Sequence, residues 1–183
     1  VPNPDEEREE ELALLAALML KFKGDSEKLA RALRDGTITL AAWLAGMRLL
    51  IKRLHTSAAL IAGEVDAAAV TARIQEQYEY LDGFAAAIQA GEEEEDGGLS
   101  VAAIIARAAL YAGAAWATFW TAVQARETEA KEVRWNLTPA EHCDDCLELD
   151  ARGWMPIEEL GGQVPGDGQT ACRTNCKCFL EYR

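Results

Sequence analysis

Leu12, Leu15, Met19 and Phe22 recur at three- and four-residue spacing, which predicts an amphipathic helix that runs from Pro4 and stops at Gly24. Asn3 is placed to cap it. Pro4 suits a first helical position because its missing N–H would have no partner there, and the acids that follow complement the helix dipole. Leu29 and Leu33 predict a second, short helix from about Ser26 to Asp35, stopped by Gly36. Thr39 is the expected cap of a third, with Leu40, Trp43, Leu44, Met47, Leu50, Ile51 and Leu54 as its apolar positions and Gly63 near its end. Asp66 offers a fresh start for Val70, Ile74, Tyr78, Leu81, Phe84 and Ile88, and Gly91 closes that run. Ser100 then caps the longest predicted helix, from Val101 to Val133.

Between the last two helices stand five consecutive acids, Glu92 to Asp96, followed by Gly97 and Gly98. Like charges repel and paired glycines oppose helix, so a solvated loop is expected over 92–98. From Val101 to Val123 the only charge is Arg107, which raises the question of a membrane span. Ala, Gly and Thr supply little transfer energy, and Trp116, Phe119 and Trp120 sit in mid-segment rather than at both ends. The segment therefore reads as a buried bundle helix, with no membrane, and Ala108, Ala112, Gly113 and Ala115 as a surface for close helix approach. Much of the 50% hydrophobic content is alanine, the best helix former and a weak contributor to burial. The fold expected is mainly α: an alanine-rich, elongated helical bundle over 1–134, with a small irregular or β cysteine module over 135–183. No basic segment with an apolar core and a small-residue cleavage site opens the chain, so no signal peptide is expected.

All five cysteines fall in that last module. Cys143 and Cys146 form a C-x-x-C pair, and Cys172, Cys176 and Cys178 follow after twenty-five residues. A C-x-x-C places two thiolates on one turn, where both reach a tetrahedral ion at about 2.3 Å. A returning loop would supply the remaining ligands, as in a zinc knuckle. The preferred set is Cys143, Cys146, Cys172 and Cys176, with Cys178 as the substitute for either of the last two; a bend at Lys177 would turn both of its neighbours inward. The ion implied is a structural Zn2+, since a catalytic zinc keeps an open position beside histidine or carboxylate ligands. Two disulfides with one thiol left over are the alternative, and their pairing is not readable from sequence.

Other chemistry is sparse. His142 adjoins Cys143, and neighbouring residues seldom both face one ion, so it is a less favoured ligand and is expected at the surface or behind the cluster. His55, beside Arg53 and Thr56, reads as a polar-face residue. Asp144 and Asp145 are expected to solvate their turn and accept backbone N–H bonds. No nucleophile elbow, phosphate loop, zinc-protease or dinucleotide motif occurs, so an enzyme is not indicated. A net charge of −13 argues against DNA binding by phosphate neutralisation, as do six Lys/Arg against ten Asp/Glu from Lys131 to Arg183.

The spelling Trp135…His142-Cys143-x-x-Cys146…Gly153-Trp154-x-Pro156…Leu160…Pro165-Gly166-x-Gly168-x-Thr170…Asn175-Cys176-Lys177-Cys178 resembles the C-terminal signature of phage head-morphogenesis proteins, the minor head proteins similar to the F protein of phage Mu. In many of that family a histidine three residues ahead of the closing cysteines joins the cluster. Here that position is Arg173, and Cys172 just before it is the replacement. The resemblance covers roughly the last fifty residues and extends weakly to the helix carrying Arg107 and Arg126. It implies a structural virion component, assembled in the host cytoplasm, that associates with portal or capsid proteins during head assembly and DNA packaging or delivery. It implies no catalysis in this region, and no effector domain is expected after Cys178. A homo-oligomer is compatible with the same helices. The alternative is a zinc-binding nucleic-acid or protein-interaction module of a non-viral helical protein.

Overall fold

A computed structural model describes residues 4–63, 66–92 and 100–183. The chain is mainly α. Helices α1 (Pro4–Arg34), α2 (Leu40–Ile61), α3 (Ala67–Glu92) and α4 (Val101–Arg126) form a bundle in which α1 and α4 both pack on α2. A three-stranded antiparallel sheet follows, built from β1 (Glu132–Asn136), β2 (Trp154–Pro156) and β3 (Phe179–Tyr182) in the order β2-β1-β3. A short helix α5 (Asp144–Ala151) packs on β1. The predicted Asn3 cap and most of the acidic loop, residues 93–98, lie outside the described residues.

Three predicted helix starts are made as the side chains suggest. Thr39 Oγ1 accepts from Ala42 N at 3.2 Å, Asp66 Oδ1 from Ala68 N at 2.9 Å, and Ser100 Oγ from Ala103 N at 3.1 Å.

Two helix ends differ from expectation. Gly24 does not stop α1, which runs unbroken to Arg34 and absorbs the predicted short helix. An interior glycine costs only about 1 kcal/mol. Against it stand the burial of Leu15, Phe22 and Ala30 along one stripe and ion pairs of Asp25 with Lys21 and Lys28 on either side. The helix predicted to be longest ends at Arg126 instead of Val133, because residues 132–136 pair as β1, and α1 is longer than it. Val133 and Trp135 are fully buried while Glu132 and Arg134 are only partly so, the two-residue alternation of a strand. Register is fixed by Val133 opposite both Met155 and Tyr182, and Trp135 opposite Leu180.

Close approach depends on small residues at two places. A Cβ on Gly46 would meet Leu29 of α1 at 2.9 Å. A Cβ on Gly113 of α4 would lie 2.4 Å from the backbone oxygen of Thr174, in the cysteine region. Gly113 of the small-residue surface thus receives the C-terminal module, while α4 also packs closely on α1 and α2. Trp43 meets Phe84 edge-on at 5.9 Å and Phe119 meets Trp120 at 5.2 Å, so the aromatic residues fill the bundle interior. Among the described residues α4 is long and apolar enough to cross a membrane, and half of that stretch is buried within the protein. At the far end of the bundle Arg126 donates to Ala62 O at 2.7 Å and pairs with Glu11, while Arg8 pairs with Glu127 at 2.9 Å. These contacts tie the start of α1 and the end of α2 to the end of α4.

Candidate metal centre

The module converges on sulfur. Cys143 occupies the N-cap position of α5 and Cys146 its buried first turn, so the helix itself sets the two thiols side by side at 3.5 Å. The loop after Leu160 returns to place Cys172 Sγ 3.5 Å from Cys146 Sγ, and Cys176 Sγ 3.7 Å from it. Cys178 completes the group. Cys143, Cys146 and Cys172 form one triad with all sulfurs within 4.8 Å, and Cys146, Cys176 and Cys178 form another. Cys146 belongs to both and is the hub.

Cys176 and Cys178 are both buried although one residue apart, with Lys177 between them exposed, which is the expected inward turn of both flanking thiols.

The spacing distinguishes the two chemistries left open by the sequence. A disulfide requires sulfurs about 2.05 Å apart, and every cysteine here is free. Four thiolates around an ion at about 2.3 Å stand about 3.8 Å from one another, and the contacts to Cys146 are 3.5–3.7 Å. Either triad could hold a metal ion, but no four of the five sulfurs lie within 4.8 Å of one another, so the preferred set Cys143, Cys146, Cys172 and Cys176 is not drawn into one closed quartet. Burial, aided by the neighbouring Cys176, raises the Cys146 thiol well above its usual range. Burial pushes Cys172 up to about 11. The hydrogen bond with Cys178, together with burial, raises Cys176 strongly. Burial opposes ionisation of Cys143 as well, but hydrogen bonds from Cys146 and Cys172 outweigh it and bring that thiol down to about 7. Crowded thiols resist becoming a cluster of thiolates unless a cation compensates them.

The surroundings hold the cluster in place. Asp145 Oδ2 accepts from Ala171 N at 2.7 Å, joining the first turn of α5 to the loop before Cys172, and Thr170 Oγ1 lies 3.2 Å from Cys172 Sγ. Trp116 of α4 donates its indole N–H to Cys178 O at 2.9 Å, and Gly166, at φ +84°, rests against Trp116 and Ala117. His142 stays outside both triads: its Nε2 is 2.7 Å from Thr138 O and its Nδ1 faces Cys178 Sγ at 3.5 Å. It stands behind the cluster, half-buried, as expected of a residue next to a ligand.

One sequence reading is corrected. His55 is wholly buried, not on a polar face, because its side of α2 turns toward α4, where Nδ1 meets Thr118 Oγ1 at 2.7 Å. The roles of Gly113 and Trp116 in docking the module were not foreseen, since both depend on contacts about sixty residues apart in the chain. Fold and site together define a helical-bundle protein with a C-terminal cysteine cluster able to hold a metal ion. Compared with family models, with curated proteins and with solved structures, the chain matches none.

Proposed function

We propose that this chain is a structural minor head protein of a phage, carried in the virion, which joins portal or capsid proteins during head assembly and DNA packaging or delivery. The observation that carries the reading is the closure of both cysteine groups of the head-morphogenesis spelling into one cluster, with the intervening Pro-Gly-x-Gly-x-Thr loop folded back on α4. A chance spelling would not require these distant sulfurs to meet.

The ion proposed is Zn2+. Soft thiolates in a tetrahedral set select zinc over the hard cations, and assembly in a reducing host cytoplasm keeps the thiols available. Four of Cys143, Cys146, Cys172, Cys176 and Cys178 would furnish the ligands, and the metal would supply folding energy to a module of too few residues to hold together by burial alone. Its role is architectural, without catalysis. The acidic chain gives no support to a grip on DNA. Exposed Leu14, Leu20, Leu49 and Leu60 on α1 and α2 leave apolar positions for a portal, a capsid subunit or a second copy.

The test is a search of the neighbouring genes for a portal protein and reconstitution of the chain with it, read by co-elution, together with quantitative mass spectrometry of purified particles. The expected result is a stable complex and a copy number far below that of the major capsid protein. Normal, infectious particles that lack the chain, with no portal or capsid complex, would favour the non-viral alternative.

A further inference from the structure

A cavity of about 670 Å3 lies where α2, α3 and α4 meet the loop that carries residues 166–175. Its lining is unexpected for so acidic a chain. Arg73 of α3, Arg107 of α4 and Arg173 of the turn after Cys172 all reach it. Arg107 lies over the ring of Phe84 at 5.6 Å, and neither it nor Arg173 forms an ion pair among the described residues. Two acids share the wall, and both are engaged. Asp167 accepts from Val164 N at 2.8 Å, Gln169 N at 2.9 Å and Gln169 Nε2 at 3.0 Å, while Glu76 lies 3.4 Å from Arg73.

The deeper wall carries two polar atoms with no partner. His55 is fully buried, and its Nε2 has no hydrogen-bond partner; the same holds for the hydroxyl of Tyr111. Leaving such groups unpaired costs about 1–3 kcal/mol each. When Thr118 donates its hydroxyl to His55 Nδ1, the neutral ring presents an N–H at Nε2. Three guanidinium forks and two neutral donors then share one cavity.

We infer that this cavity binds a small phosphate-bearing molecule, its phosphate clamped by Arg73, Arg107 and Arg173 and met from within by His55 and Tyr111. Guanidinium forks match phosphate oxygens two at a time, and this many donors exceeds what the two oxygens of a carboxylate accept. The volume lies within the range of small-molecule sites, about 300–1,000 Å3, and leaves room beyond the phosphate for an organic remainder against Tyr80 and Leu110 at the rim. Arg173 has a backbone φ of +50°, rare for a residue with a side chain, and it belongs to the cysteine module. The site is therefore complete only when the module is folded on α4. This inference stands apart from the phage reading and holds or fails independently of it.

The experiment is calorimetric titration of the full, metal-loaded chain with inorganic phosphate, pyrophosphate and acetate. In parallel, nitrogen-15 spectra follow the His55 ring. Saturable binding of the two phosphate probes is expected, with a shift at His55 Nε2 and weaker binding of acetate. Arg107→Gln and Arg173→Gln should each weaken phosphate binding by about tenfold, the scale of one charge-assisted hydrogen bond. The ring signal is read in the unsubstituted chain, so the result does not depend on the variants folding. Absence of saturable phosphate binding overturns the inference. Binding that leaves His55 unmoved, that both variants retain unchanged, or in which acetate matches phosphate overturns it equally.

Discussion

The two halves of this molecule reach order by different physics. The body, α1 to α4, buries Trp43, Met47, Ile51, Leu81, Phe119 and Trp120 almost completely, and α2, α3 and α4 begin with side-chain caps. The region from Glu132 to Arg183 has one short helix and three short strands, with five thiols crowded at its centre. Yet the boundary between them is packed, not open: buried residues form one continuous cluster from Leu15 to Leu180. A unit built round clustered thiols and a unit built round apolar side chains thus share an interface along α4, and the comparison can be tested at each side of it.

The largest effect is expected at the hub. Structural zinc sites supply folding free energy on the order of 10 kcal/mol, so Cys146→Ser should abolish metal binding and amide protection across 132–183. Helical ellipticity should largely remain, at a lower Tm. Loss of all helicity at once would show that the body has no order of its own.

The next largest is a pH effect confined to the body. Burial, with the charge of Arg73 adding to it, lowers His55 to about 4 from an ordinary 6.5. The unfolded chain therefore binds the extra proton first as pH falls, and the stability this group contributes is complete above about pH 6.5 and lost toward pH 4. Unfolding at stepped pH should reveal a loss of about 3 kcal/mol across that window, at 1.36 kcal/mol per unit, absent in His55→Gln. An equal slope in that variant would assign the effect to the carboxylates.

A smaller effect, with a telling sign, comes from Gly113→Ala. Helix propensity alone predicts stabilisation by about 1 kcal/mol. The overlap with the Thr174 carbonyl predicts destabilisation of about 1–3 kcal/mol, read as a lower Tm together with altered Trp116 fluorescence. Smallest is Trp116→Phe, which removes the bond to Cys178 O and should lower denaturation free energy by about 1 kcal/mol.

The helical character of the body and the caps at Thr39, Asp66 and Ser100 were legible because they rest on local periodicity and neighbouring side chains. The cysteine cluster was legible because C-x-x-C and the three sulfurs after it carry their chemistry in their spacing. Gly24 misled because packing of a whole stripe outweighs one poor residue, and β1 was hidden because its partners, β2 and β3, lie about twenty and fifty residues downstream. His55 offers the same lesson: nothing beside it in the chain announces Thr118. What depends on distant contact was not written locally.

The central claim is that the clustered thiols hold a metal that folds the C-terminal unit onto α4. Cobalt substitution of the full chain under reducing conditions addresses it directly, because the optical spectrum reports ligand type and geometry together. The expected result is saturable uptake with intense sulfur-to-cobalt charge-transfer bands and the strong visible bands of a tetrahedral site, both lost in Cys146→Ser. A chain that takes up no cobalt while all five thiols react freely would contradict it.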